Sequence, residues 1–404
     1  MFLKNTYLLK IFIFFLLVQF TASLLIFGVT PALPFIQSEL QLSIVQIGFL
    51  ASAIQLGSAF TSIPSGLVVD IFGIKKAMIL GCILMGLASI SLSLFDFYTL
   101  ILFDFFLIGV FYSVISPAMS KAMVELFPAK NRGTLTGIKQ VCVSISTFLA
   151  ALILPYMATH AGWRQGYLFA GILVILSGMT IFALKSTVNK VETSGQSFGL
   201  SQFIRLLKNN SLRTACFIAP FLFMVQFVTA TYLMVDLNHR HSIPLIQAGY
   251  LLAIMHLGSI VGRIIFGIVG DWLFLRKREM LLSLITGLTG IFLLLFAWMP
   301  FNTFLVLSIL VFCIGFTGIG WNAIFLVFVS ESVEVQNVGA ASGLILTLGF
   351  LGSTAGTSFY GYLSEITGGF TFTWVLLAGS MFVTSVLLAR LKKKNKFVYS
   401  TSSG

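Results

Sequence analysis

The chain has 404 residues, 58% hydrophobic and only 9% charged, with 42 Phe and a mean hydropathy of +1.04. That composition excludes a soluble globular domain and makes lipid the main solvent. The formal net charge of +12 does not indicate nucleic acid, because such binders gather Lys and Arg on one face beside reading elements, whereas here they sit in short clusters between apolar runs.

Met1 to Lys10 is a short basic lead into the apolar run Ile11 to Val29, which Pro31 and Pro34 are expected to end. A signal peptide starts in the same way. This run, however, is long enough to span a bilayer and is echoed later in the chain. A spanning helix needs roughly 20 mostly apolar residues. Twelve stretches qualify, at 8–30, 44–69, 77–95, 99–122, 134–158, 165–184, 212–236, 246–270, 279–298, 302–328, 338–362 and 372–390. The only long polar stretch, Lys185 to Ser211, reads as a linker, with Phe203 to Lys208 as a short amphipathic helix on the membrane surface. The expected organisation is a six-helix bundle over 1–184, a cytoplasmic linker over 185–211, a second six-helix bundle over 212–390 and a basic tail over 391–404. Cys82, Cys142, Cys216 and Cys313 each stand alone in an apolar run, so neither a disulfide framework nor a metal-ligand spacing is present.

Orientation follows from the basic residues, which short loops retain on the cytoplasmic side. With the first span starting inside, only Arg164 and Arg240 fall outside, and Lys139 and Arg263 lie within spans. Both termini are therefore expected in the cytoplasm.

The two halves resemble each other in detail. Aligning Gln55 to Asp70 with His256 to Asp271, without gaps, pairs Leu56, Gly57, Ser58, Ile63, Gly66, Val68 and Asp70 with identical residues at an offset of 201. Val18-Gln19-Phe20 in the first span is echoed by Val225-Gln226-Phe227 in the seventh, and Glu125, Asn131, Gly133 and Gly137 by Glu331, Asn337, Gly339 and Gly343 at an offset of 206. Six spans per half is an even number, so the copies lie parallel across the membrane. Parallel halves with a substrate site at their midplane interface are a known transporter plan.

The turn Gly66-x-x-x-Asp70-x-x-Gly73-x-Lys75-Lys76, with Pro117-Ala118, Pro128, Arg132-Gly133 and Gly162-Trp163-Arg164, resembles the major facilitator superfamily of secondary transporters over essentially the whole chain. The resemblance implies an all-α polytopic membrane protein, with twelve transmembrane helices arranged as two six-helix pseudo-repeats around a central cavity. It also implies a plasma (inner) membrane location and a monomer. There are departures: Ile71 and Ile74 replace residues that are often basic, and the second turn has Phe274 in place of its second glycine. The fourth span lacks the arginine that many proton-coupled drug antiporters carry, and the first span lacks the acidic residue common among those exporters.

The paired turns read as a cytoplasmic gate. Glycines allow close approach, and an aspartate is favoured at a neighbouring helix N-terminus. The gate set is Gly66, Asp70, Gly73, Lys75, Lys76, Arg132, Gly267, Asp271 and Arg276. Family resemblance places Asp70 at the start of the eleventh span near Gly339, and Asp271 at the start of the fifth near Arg132 and Gly133. The alternative is a charged loop that only sets topology.

Polar groups inside spans are costly and usually face a cavity. His256 and Arg263 lie two turns apart on one face of the eighth span, roughly 10 Å along the axis, where the other half has Gln55 and Ser62. Arg263 suits a carboxylate, or pairs with Asp104; His256 can change charge near neutral pH, or packs as a hydrogen-bonded core residue. Lys139 either binds an anion or snorkels to the interface. Asp104 offers a proton site or a basic residue's partner, and Tyr112 a hydrogen bond. Gln19, Gln226, Trp321 and Asn322 fall in spans that line the cavity in the family resembled.

Secondary transport of a small solute by rocking of two halves follows as the expectation. The basic balance of Arg263, Lys139 and His256 against Asp104 favours an organic anion, with a proton as the coupling ion through His256 or Asp104. Export of a drug or metabolite is the alternative. No convergent nucleophile, metal set or phosphate-binding loop points to an enzyme, and no cofactor is expected.

Overall fold

The computed structural model describes residues 6–127, 129–183, 209–274, 277–298, 303–333 and 338–391. The first half comprises α1 (Thr6–Phe27), α2 (Val29–Leu40), α3 (Ile44–Phe72), α4 (Ile74–Ser91), α5 (Tyr98–Leu126), α6 (Ala129–His160) and α7 (Trp163–Thr180). The second comprises α8 (Asn210–His241), α9 (Leu245–Trp272), α10 (Arg278–Trp298), α11 (Phe304–Gly318), α12 (Asn322–Glu331), α13 (Val338–Ile366) and α14 (Thr371–Ala389). Among the described residues, eleven stretches are long and apolar enough to cross a membrane. The 29-residue α13 stands at the remaining position of the twelve expected. The amphipathic helix expected over Phe203 to Lys208 and the basic tail beyond Leu391 lie outside the described residues.

Two spans differ from expectation. Pro31 and Pro34 do not end the first: α1 breaks at Gly28 and α2 runs on to Leu40, with Pro34 inside it. Pro31 falls in the first turn of α2, where no backbone donor is required. The tenth span, expected as one helix, breaks after Gly318 and restarts at Asn322. Ile319 N–H and Gly320 N–H both return to Gly315 O, and the Trp321 indole donates to Gly318 O at 2.8 Å. The break is thus internally hydrogen-bonded, as hydrocarbon surroundings demand.

The duplication reappears as matching helix crossings. A Cβ on Gly57 of α3 would lie 2.2 Å from Phe106 O of α5, and one on Gly109 of α5 would lie 2.1 Å from Ile54 O. In the second half Gly258 of α9 would meet Phe312 O at 2.2 Å and Gly315 of α11 would meet Met255 O at 1.8 Å. All four positions let backbones touch where a larger residue cannot fit. Gly315→Val therefore lowers stability by about 3 kcal/mol, the upper end of overpacking costs, because the obstructing atom is backbone. Thermal unfolding in detergent would read this, and an unchanged midpoint would refute the crossing.

Helices of the two halves meet along α3 with α13 and along α6 with α9. Each half is tied at one end by a tryptophan and a carboxylate. Trp163 Nε1 donates to Glu39 Oε2 at 2.7 Å, and Arg164 reaches both Glu39 and Asp96. In the second half Trp374 Nε1 donates to Asp236 Oδ2 at 2.9 Å, and Arg240 Nη2 reaches the same oxygen at 2.6 Å. Both ties join the half's first span to its sixth.

Candidate functional site

A cavity of about 40 Å³ lies between the halves, lined by residues of both. Phe27 and Thr30 flank the Gly28 break, α6 supplies Val143, Ser144 and Thr147, and α8 supplies Gln226, Phe227 and Ala230. From α9 come His256, Ser259 and Arg263, and Ile319 comes from the break in the tenth span. The break after Gly318 brings irregular backbone to the cavity wall at Ile319 (φ −122°), the place where a membrane protein tolerates it, whereas Gly28 keeps near-helical dihedrals. Gly320 packs against Gly262, next to Arg263: a Cβ on Gly320 would lie 2.9 Å from Gly262 Cα.

The expected pair on α9 therefore shares one cavity, as its seven-residue spacing requires. Arg263 Nη1 donates to Ser144 Oγ of the opposite half at 2.5 Å, and its Nε is buried without a partner. Asp104 does not pair with it: the Asp104 carboxylate is buried on α5 with Oδ2 unpartnered, apart from the residues that line the cavity. Lys139 is buried on α6 but donates to Ser116 Oγ at 3.1 Å and Ser120 Oγ at 3.4 Å, outside the cavity lining. Among the described residues neither Arg263 nor Lys139 forms an ion pair.

The amides divide between two networks. Asn322 Nδ2 donates to Gln226 Oε1 at 2.7 Å and holds that side chain at the cavity wall. Gln19 Nε2 donates to Ser23 Oγ at 2.9 Å and Tyr112 OH at 3.4 Å, with Gln19 Oε1 buried and unpartnered. Trp321 is a core residue, 1% exposed, with ring contacts to Phe223 and Phe325. Its indole is already satisfied, which explains why a tryptophan tolerates that depth.

At the end carrying the α3–α4 and α9–α10 turns, the basic end, Gly73 adopts φ +77°, a left-handed conformation suited to glycine, and closes α3 against α4 in one residue. Lys75 Nζ donates to Phe182 O at 3.1 Å and Lys76 is exposed. The Gly66, Asp70 and Arg132 side-chain positions, and all of Arg276, lie outside the described residues. Asp271 Oδ1 accepts from Arg278 Nη2 at 2.9 Å, and Arg278 Nε donates to Glu331 Oε1 at 2.8 Å. Arg278 is buried between those carboxylates, a role not assigned to it from sequence because it stands in a run of four basic and acidic residues, Arg276 to Glu279. Ser144 carries no distinguishing sequence signal either, since serines are scattered through many of the spans and only the α6–α9 seam sets this one apart.

A Cβ on Gly137, Gly267 or Gly343 would meet no described atom within 4 Å, and all three lie toward the basic ends of α6, α9 and α13. At the opposite ends of the same helices Gly249 meets Pro155 and Ala151, and Gly361 meets Tyr232 and Ile44. The halves are thus sealed away from the basic end, while toward it these three glycines face no described atom of the other half.

Known proteins match along the chain. Probable galactarate/D-glucarate transporter GudP of Bacillus subtilis (strain 168) is 22% identical, with 83% of this chain and 81% of that protein covered. Multidrug resistance protein 2 of the same organism is 26% identical over 96% of both. A bacterial homolog of the human lysosomal transporter Spinster, solved in an inward-facing and unoccupied conformation, superposes with a TM-score of 0.74 at 14% identity, covering 95% of each chain. The family model described as Major Facilitator Superfamily matches residues 15–357. The chain is an integral membrane transporter belonging to the Major Facilitator Superfamily.

Proposed function

We propose that this transporter carries a small organic anion bearing a carboxylate, taken up together with a proton. The observation that carries this reading is Arg263: its guanidinium lines the cavity between the halves, spends one donor on Ser144, and has no carboxylate partner among the described residues. A half-buried cation inside the membrane is stabilised by a counter-charge, and a bound carboxylate supplies it in fork geometry. Ser144, Thr147, Thr30, Ser259 and Gln226 offer hydroxyls and an amide to the hydroxyls of the solute. GudP, whose name gives galactarate and D-glucarate, is a relative whose substrates have this chemistry.

The basic end is taken as cytoplasmic, with both termini inside, because loops there hold most of the Lys and Arg. His256 shares the cavity with Arg263 and is the proton carrier in this reading, with Asp104 as the other candidate. Asp70 caps the start of α13, and Asp271 the start of α6, when the cytoplasmic side closes. The cavity of about 40 Å³ is too small for a sugar acid, so loading requires the halves to move apart around it.

A second reading, export of a drug or metabolite, draws on the match to Multidrug resistance protein 2 over 96% of both chains. Counterflow in proteoliposomes, with aldarates, hexuronates, short monocarboxylates and lipophilic cations, separates the two. Carboxylate exchange that is stimulated by an acid-outside pH gradient is the expected result. Cation transport that survives Arg263→Ala, with no carboxylate exchange, would overturn the anion reading in favour of export.

A further inference from the structure

We infer that Glu365 is a latch that holds the end opposite the basic one shut, as the counterpart of the Asp70 latch on the same pair of helices. Helices α3 and α13 belong to different halves and run antiparallel, so the start of α3 meets the end of α13. The N-terminus of α3 is built to receive a partner. Ser43 Oγ accepts from Gln46 N–H at 3.2 Å, and Gln46 Oε1 accepts from Ser43 N–H at 2.9 Å. That capping box serves two donors and leaves the N–H groups of Ile44 and Val45, of which Val45 donates to Glu365 Oε2 at 3.0 Å. The carboxylate that adds to this helix cap comes from the other half.

The exposed Glu365 gains from the interface what its own helix denies it. Glu365 lies in the last turn of α13, which ends at Ile366. A carboxylate there faces the negative end of its own helix and is disfavoured. The positive end of α3 offsets that penalty, and a carboxylate hydrogen-bonded to a helix N-terminus is favoured twice, by charge and by the donor. Separating the halves at this end returns Glu365 to the unfavourable end of α13 alone.

Packing beneath the contact sets what the latch holds. Tyr232 Oη donates to Thr357 O at 2.6 Å, and a Cβ on Gly48 or on Gly361 would lie 2.4 Å from that hydroxyl. One helical turn below, Ser52 Oγ meets Ser358 Oγ at 2.9 Å and donates to Thr354 O at 3.0 Å. The seam is therefore closed from Glu365 down to Ser52, then parts toward Gly343, where no described atom lies within 4 Å of a Cβ. Asp70 stands in the last turn of α3 at that parted end. Each of the two antiparallel helices thus carries an acid in its final turn, Asp70 on α3 and Glu365 on α13, and in this proposal rocking the halves makes one contact as it breaks the other.

The test is the distance between spin labels at Phe97→Cys and Phe372→Cys, exposed positions on the two halves at this end, measured by pulsed electron resonance in nanodiscs without substrate, with the four native cysteines replaced by alanine. Glu365→Gln, which keeps the shape and loses the charge, is expected to raise the ratio of separated to closed molecules about two- to fivefold, the range a carboxylate at a helix N-terminus supplies. Glu365→Ala should shift it at least as far, while Glu365→Asp, which keeps the charge, stays nearer the parent. Distributions for Glu365→Gln and Glu365→Ala that match the parent would overturn the latch. A shift in Glu365→Asp as large as in Glu365→Ala would overturn its electrostatic basis. The readout uses no substrate, so its outcome is independent of the anion reading.

Discussion

If the solute is the proposed organic anion, Arg263→Ala is expected to weaken carboxylate counterflow severely while leaving the protein folded. Truncating one partner of a buried, hydrogen-bonded charge pair costs about 2–5 kcal/mol, so apparent affinity falls about thirtyfold or more. Folding is spared because the guanidinium makes one side-chain hydrogen bond, to Ser144, and no ion pair among the described residues, so removing it orphans no buried carboxylate. Arg263→Lys retains charge without the planar fork and falls between the parent and the alanine variant. Binding isotherms with a carboxylate, together with gel filtration in detergent, check both parts. Undiminished affinity in a monodisperse Arg263→Ala protein would remove the anion from this cavity.

Asp236→Ala is expected to act on the opposite quantity, stability, and to lower the unfolding midpoint and the yield of folded protein sharply. The carboxylate is fully buried on α8, and its Oδ2 accepts from Arg240 Nη2 at 2.6 Å and Trp374 Nε1 at 2.9 Å. Losing it strands a buried indole donor and leaves Arg240 to carbonyl partners, Ala297 O at 2.8 Å and Phe296 O at 3.1 Å. Breaking a buried pair from one side costs about 3–5 kcal/mol, a large share of a marginal total of about 5–15 kcal/mol. Asp236→Asn keeps an acceptor for Trp374 and should recover part of the loss. Thermal unfolding in detergent orders the three proteins as parent, asparagine, alanine; an alanine variant as stable as the parent would show the tie between α8 and α14 to be incidental.

These expectations rest on features of different legibility. The pairing of His256 with Arg263 was readable because helical spacing alone places residues seven apart on one face. Lys139 was readable as a costly buried cation, yet its direction was not: it turns toward Ser116 and Ser120 on α5 rather than into the cavity. Trp321 shows the same limit, since depth in a span does not say whether a side chain faces a cavity or the core. The place of Asp271 in the repeat marks it as a gate residue, whereas its bond to Arg278, next to Glu331, depends on how three separate helix ends meet.

The sequence by itself determined the solvent, the number of spans, the duplication and the family. Those properties are written as runs and repeats along the chain: apolar length sets a span, a recurring offset sets a repeat, and a glycine–aspartate turn recurs with it. Tertiary structure alone decided which polar groups face one another across the halves, Ser144 with Arg263 and Glu365 with Val45. Those contacts depend on the rotation of each helix and the tilt between bundles. Both are set by close packing at positions such as Gly57, Gly258 and Gly361, where sub-ångström fit chooses among arrangements that apolar periodicity leaves equal.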